Sequence, residues 1–387
     1  MRYLLLRMKR FCGFLTGFVF FISGILKLMD PVGAGLVMNE YFRFLHIGFL
    51  DFAAKPAGVI FALAEAIVGI GLITGVWRRI IAPISIGMQG FFTLLTLVLV
   101  IFNPEMDCGC FGEAIHLTHG ETFVKNIILL TLLLIYYIPA KQLGETKKRK
   151  YVAFGIVSLS AIVFCIYSLA AIPLIDFTDF KPGIHLGLSE SSAENTYESF
   201  FVYEKDGVQQ TVTLDELPDS TWTFVRTETL QKEGSNENSA ILSFYDADGN
   251  YADSLATKEK VMVISVYSDK LSTAQKERIT LFMSNAENAG FKVLLLASSQ
   301  TTASGFKDSY LSDYKSLITL NRSNGGITYF NDGYLVRKWG ARSYPDSTEL
   351  EALSNEDMTE TIIRHDTNSS LTFQAFLLYV FAVMLLL

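Results

Sequence analysis

Six apolar runs, at 11–29, 56–76, 80–102, 122–139, 151–172 and 371–387, restrict what this chain can fold into more than any other feature. About 20 mostly apolar residues match the hydrocarbon thickness of a bilayer, where no water satisfies backbone N–H and C=O groups. Each run is therefore predicted to be a membrane-crossing helix that makes its own backbone hydrogen bonds. The last run is 17 residues long, at the short limit, and has no basic flank. The first follows Arg2, Arg7, Lys9 and Arg10 as a signal peptide would, but its end, "LKLMDP", offers no small-residue cleavage site. It is expected to remain as a helix.

Charge divides the chain in two. Residues 1–173 carry a net +6 and residues 174–387 a net −13, within an overall −7. A basic, apolar half followed by an acidic half predicts a membrane part and a water-facing part. The acidic half excludes the positive footprint that nucleic-acid binding needs. Basic residues stay on the cytoplasmic side of short loops. The N-terminal cluster, "WRR" at 77–79 and "KQLGETKKRK" at 141–150 agree on one orientation. It puts loops 30–55 and 103–121 and everything from 173 to 370 outside, which predicts a bacterial inner-membrane, multi-pass protein with a large periplasmic segment. In "NEYFRFLHIGFLDF" the polar Glu40, Arg43 and His46 recur at threes among aromatics. That spacing suits a short helix in the outer interface, either a connector or a lid.

In the water-facing half, "SFFVYEKDG" and "QQTVTL" read as a hairpin, and "SAILSFYDADGNYA" as a further strand and turn. A regular alternation follows: strand 260–267, helix 272–290, strand 292–298, a short helix near 303–312, an extended "SLITLN", the hairpin "GITYFN"–"DG"–"YLVRKWG", and a helix near 348–364. This is the order of a thioredoxin-like domain. The turn after its first strand reads "VYSDKLST", without the Cys-x-x-Cys of catalytic thioredoxins, and "RSNGGITYF" lacks the usual cis-proline. Without a thiol, such a domain binds or positions something rather than exchanging disulfides.

Four cysteines are too few for a disulfide scaffold. Two of them, Cys108 and Cys110, flank one glycine in "MDCGCFGEAIHL", in a loop predicted to face the oxidising side. Two cysteines one residue apart close only a small, strained ring, which suits a labile redox pair exchanging electrons with a soluble thiol protein. Two alternatives stay open: a metal site of Cys108, Cys110, His116 and His119, and a structural turn. Asp107 and Glu113 would raise a nearby thiol pKa, so His116 or the helix start near Thr122 is expected to compensate. Cys12 and Cys165 fall in apolar runs and read as small hydrophobes.

Charge within a span is costly. Glu65 falls mid-span and must face the bundle; Lys27 is the nearest candidate cation, although it also fits snorkelling to the interface. Gln89 is a further inward-facing polar group. With Glu65 it fits either a quinone-like head group or hydrogen-bonded contact between helices. Quinone is accordingly the one cofactor these residues suggest.

"GFVFFISGILKLMDPVG", "EAIVGIGLITGVWRR" and "NPEMDCGCFGE" together resemble the DoxX/MauE group of four-helix membrane proteins, over roughly residues 10–140. Ser23-Gly24-x-x-Lys27 and the Glu65 helix carry the DoxX-like part, and the Cys-Gly-Cys-Phe-Gly loop carries the MauE-like part. The remainder resembles a longer Bacteroidetes version with an added outer domain. The resemblance implies maturation of a disulfide-rich periplasmic enzyme subunit, or membrane sulfur or oxidative-stress chemistry. Quinone-coupled thiol oxidases share the architecture only, and they carry a Cys-x-x-Cys and a shuttle pair that are not seen here.

The expected layout is a multi-domain membrane protein: a four-helix transmembrane bundle at 1–140, a basic loop and fifth helix at 141–173, a β-rich adapter at 174–255, a thioredoxin-like α/β domain at 256–368 and an apolar helix at 371–387. The expected function is thiol–disulfide redox or protein maturation at Cys108 and Cys110, with a periplasmic thiol-containing client, membrane lipids around the bundle, and Lys27, Glu65 and Gln89 facing a carrier. A non-enzymatic assembly protein is the alternative.

Overall fold

A computed structural model describes residues 2–104, 106–137, 146–187, 197–205, 208–212, 222–231 and 239–386. The chain forms two compact units, Met1–Phe177 with Asp366–Leu387, and Thr178–His365.

The first unit is helical. Helix α1 (Arg2–Met29) is followed at once by α2 (Pro31–Phe44). Asp30 separates them: its Oδ1 accepts the Gly33 N–H at 2.9 Å, and Pro31 occupies the first helical position, where its missing N–H costs nothing. Helix α3 (Ala54–Thr74) stops at Gly75, whose left-handed backbone ends the helix. Helix α4 (Arg78–Phe102) ends at Asn103 in the same way, and a short extended segment, β1 (Cys110–Glu113), leads toward α5 (His119–Tyr137) and α6 (Lys148–Ala170). Residues 138–145, in the predicted basic loop, lie outside the described residues.

Helices α1 and α3 pack backbone to backbone. A Cβ on Gly24 would strike the Ala62 carbonyl and Ala66, and one on Gly69 would strike Phe21 and the Gly17 carbonyl. Small residues at such a seam let helices approach without a water-driven hydrophobic force. Phe21, Ile25, Ile70, Val157 and Phe164 form one core around it, closed by Phe373 and Val380 of the last helix.

Six helices among the described residues are long and apolar enough to cross a membrane, so the unit is that of a multi-pass membrane protein. The last is longer than the run at 371–387: it spans Met358–Leu386. Polar "TETIIRHDTNSS" continues the helix without a breaker, and hydropathy alone marks only its apolar end.

The second unit contains strands β2 (His185–Gly187), β3 (Tyr197–Lys205), β4 (Val208–Val212), β5 (Thr223–Gln231), β6 (Ser239–Ile241), β7 (Phe244–Tyr245), β8 (Lys260–Val266), β9 (Lys292–Ala297), β10 (Ser309–Ser312), β11 (Gly326–Asn331) and β12 (Tyr334–Trp339). Its helices are α7 (Thr273–Asn288), α8 (Gln300–Ala303), α9 (Tyr314–Leu320) and α10 (Ser347–Asn355), and α11 (Met358–Leu386) begins here. Eight strands form one sheet in the order β6-β2-β12-β11-β8-β9-β10-β7, and β4-β3-β5 form a second. In the large sheet β8 runs parallel to β9 and antiparallel to β11, which pairs antiparallel with β12. Asp332 and Gly333 both take positive φ, as the two-residue hairpin turn requires.

Both faces of this sheet are covered. Met262, Ile264 and Val266 join one core, and Val261 and Val263 the other. That is why "KVMVISV" is apolar throughout instead of alternating. Helix α7 starts with a reciprocal cap between Ser272 and Gln275.

Three expectations are corrected. "SLITLN" is mostly helical (α9), because Asp313 caps it by accepting the Ser316 N–H at 3.0 Å and Leu317, Ile318 and Leu320 are buried. The helix expected near 303–312 is instead the one-turn α8 followed by strand β10, which pairs with β9. The boundary at 255/256 does not separate two sheets, since β2, β6 and β7 complete the large one. Strands of two or three residues are too short to signal in sequence.

Candidate functional site

Helical spacing brings scattered polar residues to one place. Ser23 and Lys27 are one turn apart on α1, Gly58, Phe61 and Glu65 follow a single face of α3, and Gln89, Phe92 and Thr96 do the same on α4. With Asn126 and Lys125 of α5 and Tyr41 of α2, they line a cavity of about 390 Å³ whose wall also includes Cys108, Gly109 and Cys110. The structure thus gathers Lys27, Glu65, Gln89 and both loop cysteines around one space.

The polar groups of that wall are ordered by one another. Lys27 Nζ donates to Glu65 Oε2 at 2.6 Å, with both side chains largely buried, and lies 5.7 Å from the centre of the Phe92 ring. Lys27 therefore does not snorkel: an acceptor on the neighbouring helix outcompetes the interface. Gln89 Nε2 donates to the Asn126 carbonyl at 3.0 Å, and Asn126 Nδ2 donates to Thr96 Oγ1 at 3.2 Å and to the Phe92 carbonyl at 3.3 Å. Gln89 thus ties α4 to α5 and faces the cavity as well.

The cysteine loop is held from two sides. Tyr41 donates its hydroxyl to the Cys108 carbonyl at 2.8 Å, and Ser23 donates to the Cys110 carbonyl at 2.5 Å. Between them Gly109 has φ +59°, and a Cβ there would fall on the Val37 side chain. Only glycine combines that backbone with that closeness. Helix α2, expected as an interfacial segment, thereby forms part of the cavity wall.

All four cysteines are free thiols here. Burial, first of all, pushes the Cys108 thiol above its ordinary value; Cys110 and Asp107 add to the rise, while Thr122 and Lys125 oppose it. Thr122 Oγ1 is buried and without a hydrogen bond of full geometry, so its effect on the thiol is a close polar contact rather than a strong bond. Thr122 and Lys125 of α5 thus offset the rise only in part, and His116 instead faces Asp107 at 3.5 Å on the exposed surface. His119 sits 3.0 Å from the Met106 carbonyl and 3.2 Å from Asn103 Oδ1. Among the described residues, no three His, Cys, Asp or Glu side chains converge to hold a metal, so Cys108, Cys110, His116 and His119 are not brought together as a ligand set.

Sequence reading missed Tyr41, Asn126 and Lys125. Asn126 is one polar residue in an apolar run, the signal already used for Gln89, and it was open to the same argument.

A helical membrane unit with a free dithiol loop in the wall of an internal cavity is the class these features define. Residues 2–139 match the family described as Methylamine utilisation protein MauE, and 197–233 match a Domain of unknown function (DUF8463). Every residue named in the cavity wall falls inside the first match. Protein TlpB of Flavobacterium psychrophilum is 28% identical over 161 residues, which cover 41% of this chain and 43% of that protein, less than half of each. No solved structure matches.

Proposed function

We propose that the protein is a membrane thiol–disulfide redox factor in which Cys108 and Cys110 exchange electrons between a water-soluble client thiol protein and a lipid-soluble quinone. The observation that carries this reading is that one cavity is lined both by Cys108 and Cys110 and by the Lys27, Glu65 and Gln89 group. Its volume is in the range of small-molecule sites, its walls are mainly aliphatic and aromatic, and its few polar groups are clustered. Lys27 and Lys125 bring N–H donors to the wall, which suits a ligand with an apolar body and carbonyl acceptors. When bound, a quinone would supply a two-electron, two-proton acceptor beside the dithiol. The chain's own part is to hold the loop through Tyr41 and Ser23, and to shield the buried Cys108 from water.

On the basic-residue rule the loop and residues 178–365 face the same, periplasmic compartment of an inner membrane. The strand order β12-β11-β8-β9, with β8 parallel to β9, supports a thioredoxin-like reading of that unit. Lacking cysteine in "VYSDKLST", it would dock the client instead of reacting with it. The MauE match over the cavity-forming region supports a maturation role.

The test is dithiol-dependent reduction of decylubiquinone by the purified full-length protein in nanodiscs, with a reduced dithiol peptide as donor. Cysteine-dependent reduction, abolished by Cys108→Ser or by Cys110→Ser, is expected. Reduction that survives both substitutions, or none with the native protein, would overturn the reading.

A further inference from the structure

The two sulfurs of the loop stand in different surroundings. Cys108 is 6% exposed. Cys110, two residues on, is only partly buried. Its carbonyl is pinned by Ser23, so the loop cannot roll to exchange the two positions without breaking that bond and the Tyr41 bond to Cys108.

Attack on a disulfide depends on which sulfur the incoming thiolate can reach; burial raises the Cys108 thiol and works against its departure, so access is what sets the direction here. A thiolate carried by a folded client is bulky and needs an exposed target. On the redox reading above, we infer that the pair works in one direction: Cys110 is the sulfur that takes the client, and Cys108 is the sulfur released.

In the oxidised pair, the client thiolate attacks Cys110 Sγ. A client–Cys110 disulfide forms, the Cys108–Cys110 bond breaks, and the bonding electron pair leaves on Cys108. A second client thiolate attacks the client sulfur of this mixed disulfide, forms the client's disulfide and releases Cys110 as a thiolate. A quinone held by the Lys27, Glu65 and Gln89 wall would supply the two-electron, two-proton acceptor that restores the pair. The sum is a client dithiol oxidised and one quinone reduced, with no other reactant.

Single-cysteine capture tests this in the full-length protein in nanodiscs, with Cys12 and Cys165 replaced by alanine. Two variants, Cys108→Ser and Cys110→Ser, are each mixed with a water-soluble peptide whose one cysteine is activated by thionitrobenzoate, and release of the chromophore is followed. The Cys108→Ser variant, which keeps Cys110, is expected to capture the peptide at least about ten-fold faster. Alkylation after unfolding in detergent establishes that each variant still holds its thiol, and Cys108→Ala and Cys110→Ala repeat the comparison without a hydroxyl. Equal rates, or faster capture at Cys108, would overturn the inference. If that happens while decylubiquinone turnover persists, only the direction is wrong; loss of cysteine-dependent turnover removes the underlying reading instead.

Discussion

The Lys27 ammonium lies 2.6 Å from Glu65 Oε2 and joins α1 to α3 in the wall of the cavity. Each charge makes the burial of the other tolerable. Removing one partner of such a pair costs more than removing both, because it strands a charge. Glu65→Gln is therefore expected to destabilise the protein by about 3–5 kcal/mol. The double variant Lys27→Met/Glu65→Leu is expected to lie much nearer the native protein. Thermal unfolding in detergent reads both, and a Glu65→Gln midpoint equal to that of the native protein would show that the pair contributes no stability.

Gly109 is the second fixed point. Alanine there meets a positive φ and the Val37 side chain together. Gly109→Ala is expected to cost about 1–3 kcal/mol locally and to lift the loop, so that Cys108 is alkylated faster. Adding Val37→Ala is expected to recover part of the loss, since it removes the clash and leaves the backbone cost. No change in alkylation would mean that the loop has another way to seat an alanine.

Alkylation requires the thiolate. Burial, and then Cys110 and Asp107, raise the Cys108 thiol, while Thr122 and Lys125 lower it. With the folded value above that of a free thiol, the pH midpoint for Cys108 alkylation is expected above that of a cysteine in the unfolded chain. Lys125→Gln removes a lowering influence and is expected to move the midpoint further up, and Lys125→Arg to restore it. Rate–pH profiles of the Cys110→Ser variant measure this, and a downward shift in Lys125→Gln would contradict it.

In the second unit, Asn324 secures the end of β8. Its Oδ1 accepts the Tyr267 N–H at 2.9 Å and the Ser268 N–H at 3.1 Å, and its Nδ2 donates to the Ser268 carbonyl at 3.1 Å. Asn324→Ala leaves three backbone groups to find water and is expected to cost about 1–3 kcal/mol. Faster hydrogen exchange confined to the Tyr267 and Ser268 amides would report it; unchanged protection would show that those bonds contribute little.

Much of this was legible in the sequence, for reasons that differ by residue. Hydropathy located the spans, because a bilayer imposes length and composition directly. The cost of an intramembrane charge singled out Glu65, and glycine spacing marked Cys108 and Cys110. Lys27 could be named as the nearest cation to Glu65 but not decided between pairing and snorkelling, because position along one helix does not reveal which residue of another helix faces it. Tyr41 and Lys125 escaped for the same reason: they act on the loop from helices outside it. "SLITLN" misled because six residues are too few to separate a helical period from an extended run, and its decisive signal is the cap at Asp313 just before it.

The glycine seam between α1 and α3 has a mechanical result. With Gly24 and Gly69 seated against the opposing backbone, these two rods act as one stiff plate that carries Ser23, Lys27 and Glu65 together. On the proposed redox reading, widening to admit a tailed molecule would have to come from the far side, where side-chain amide bonds from Gln89 and Asn126 fasten α4 to α5, or from α2. The doorway, in other words, is hung on a rigid post.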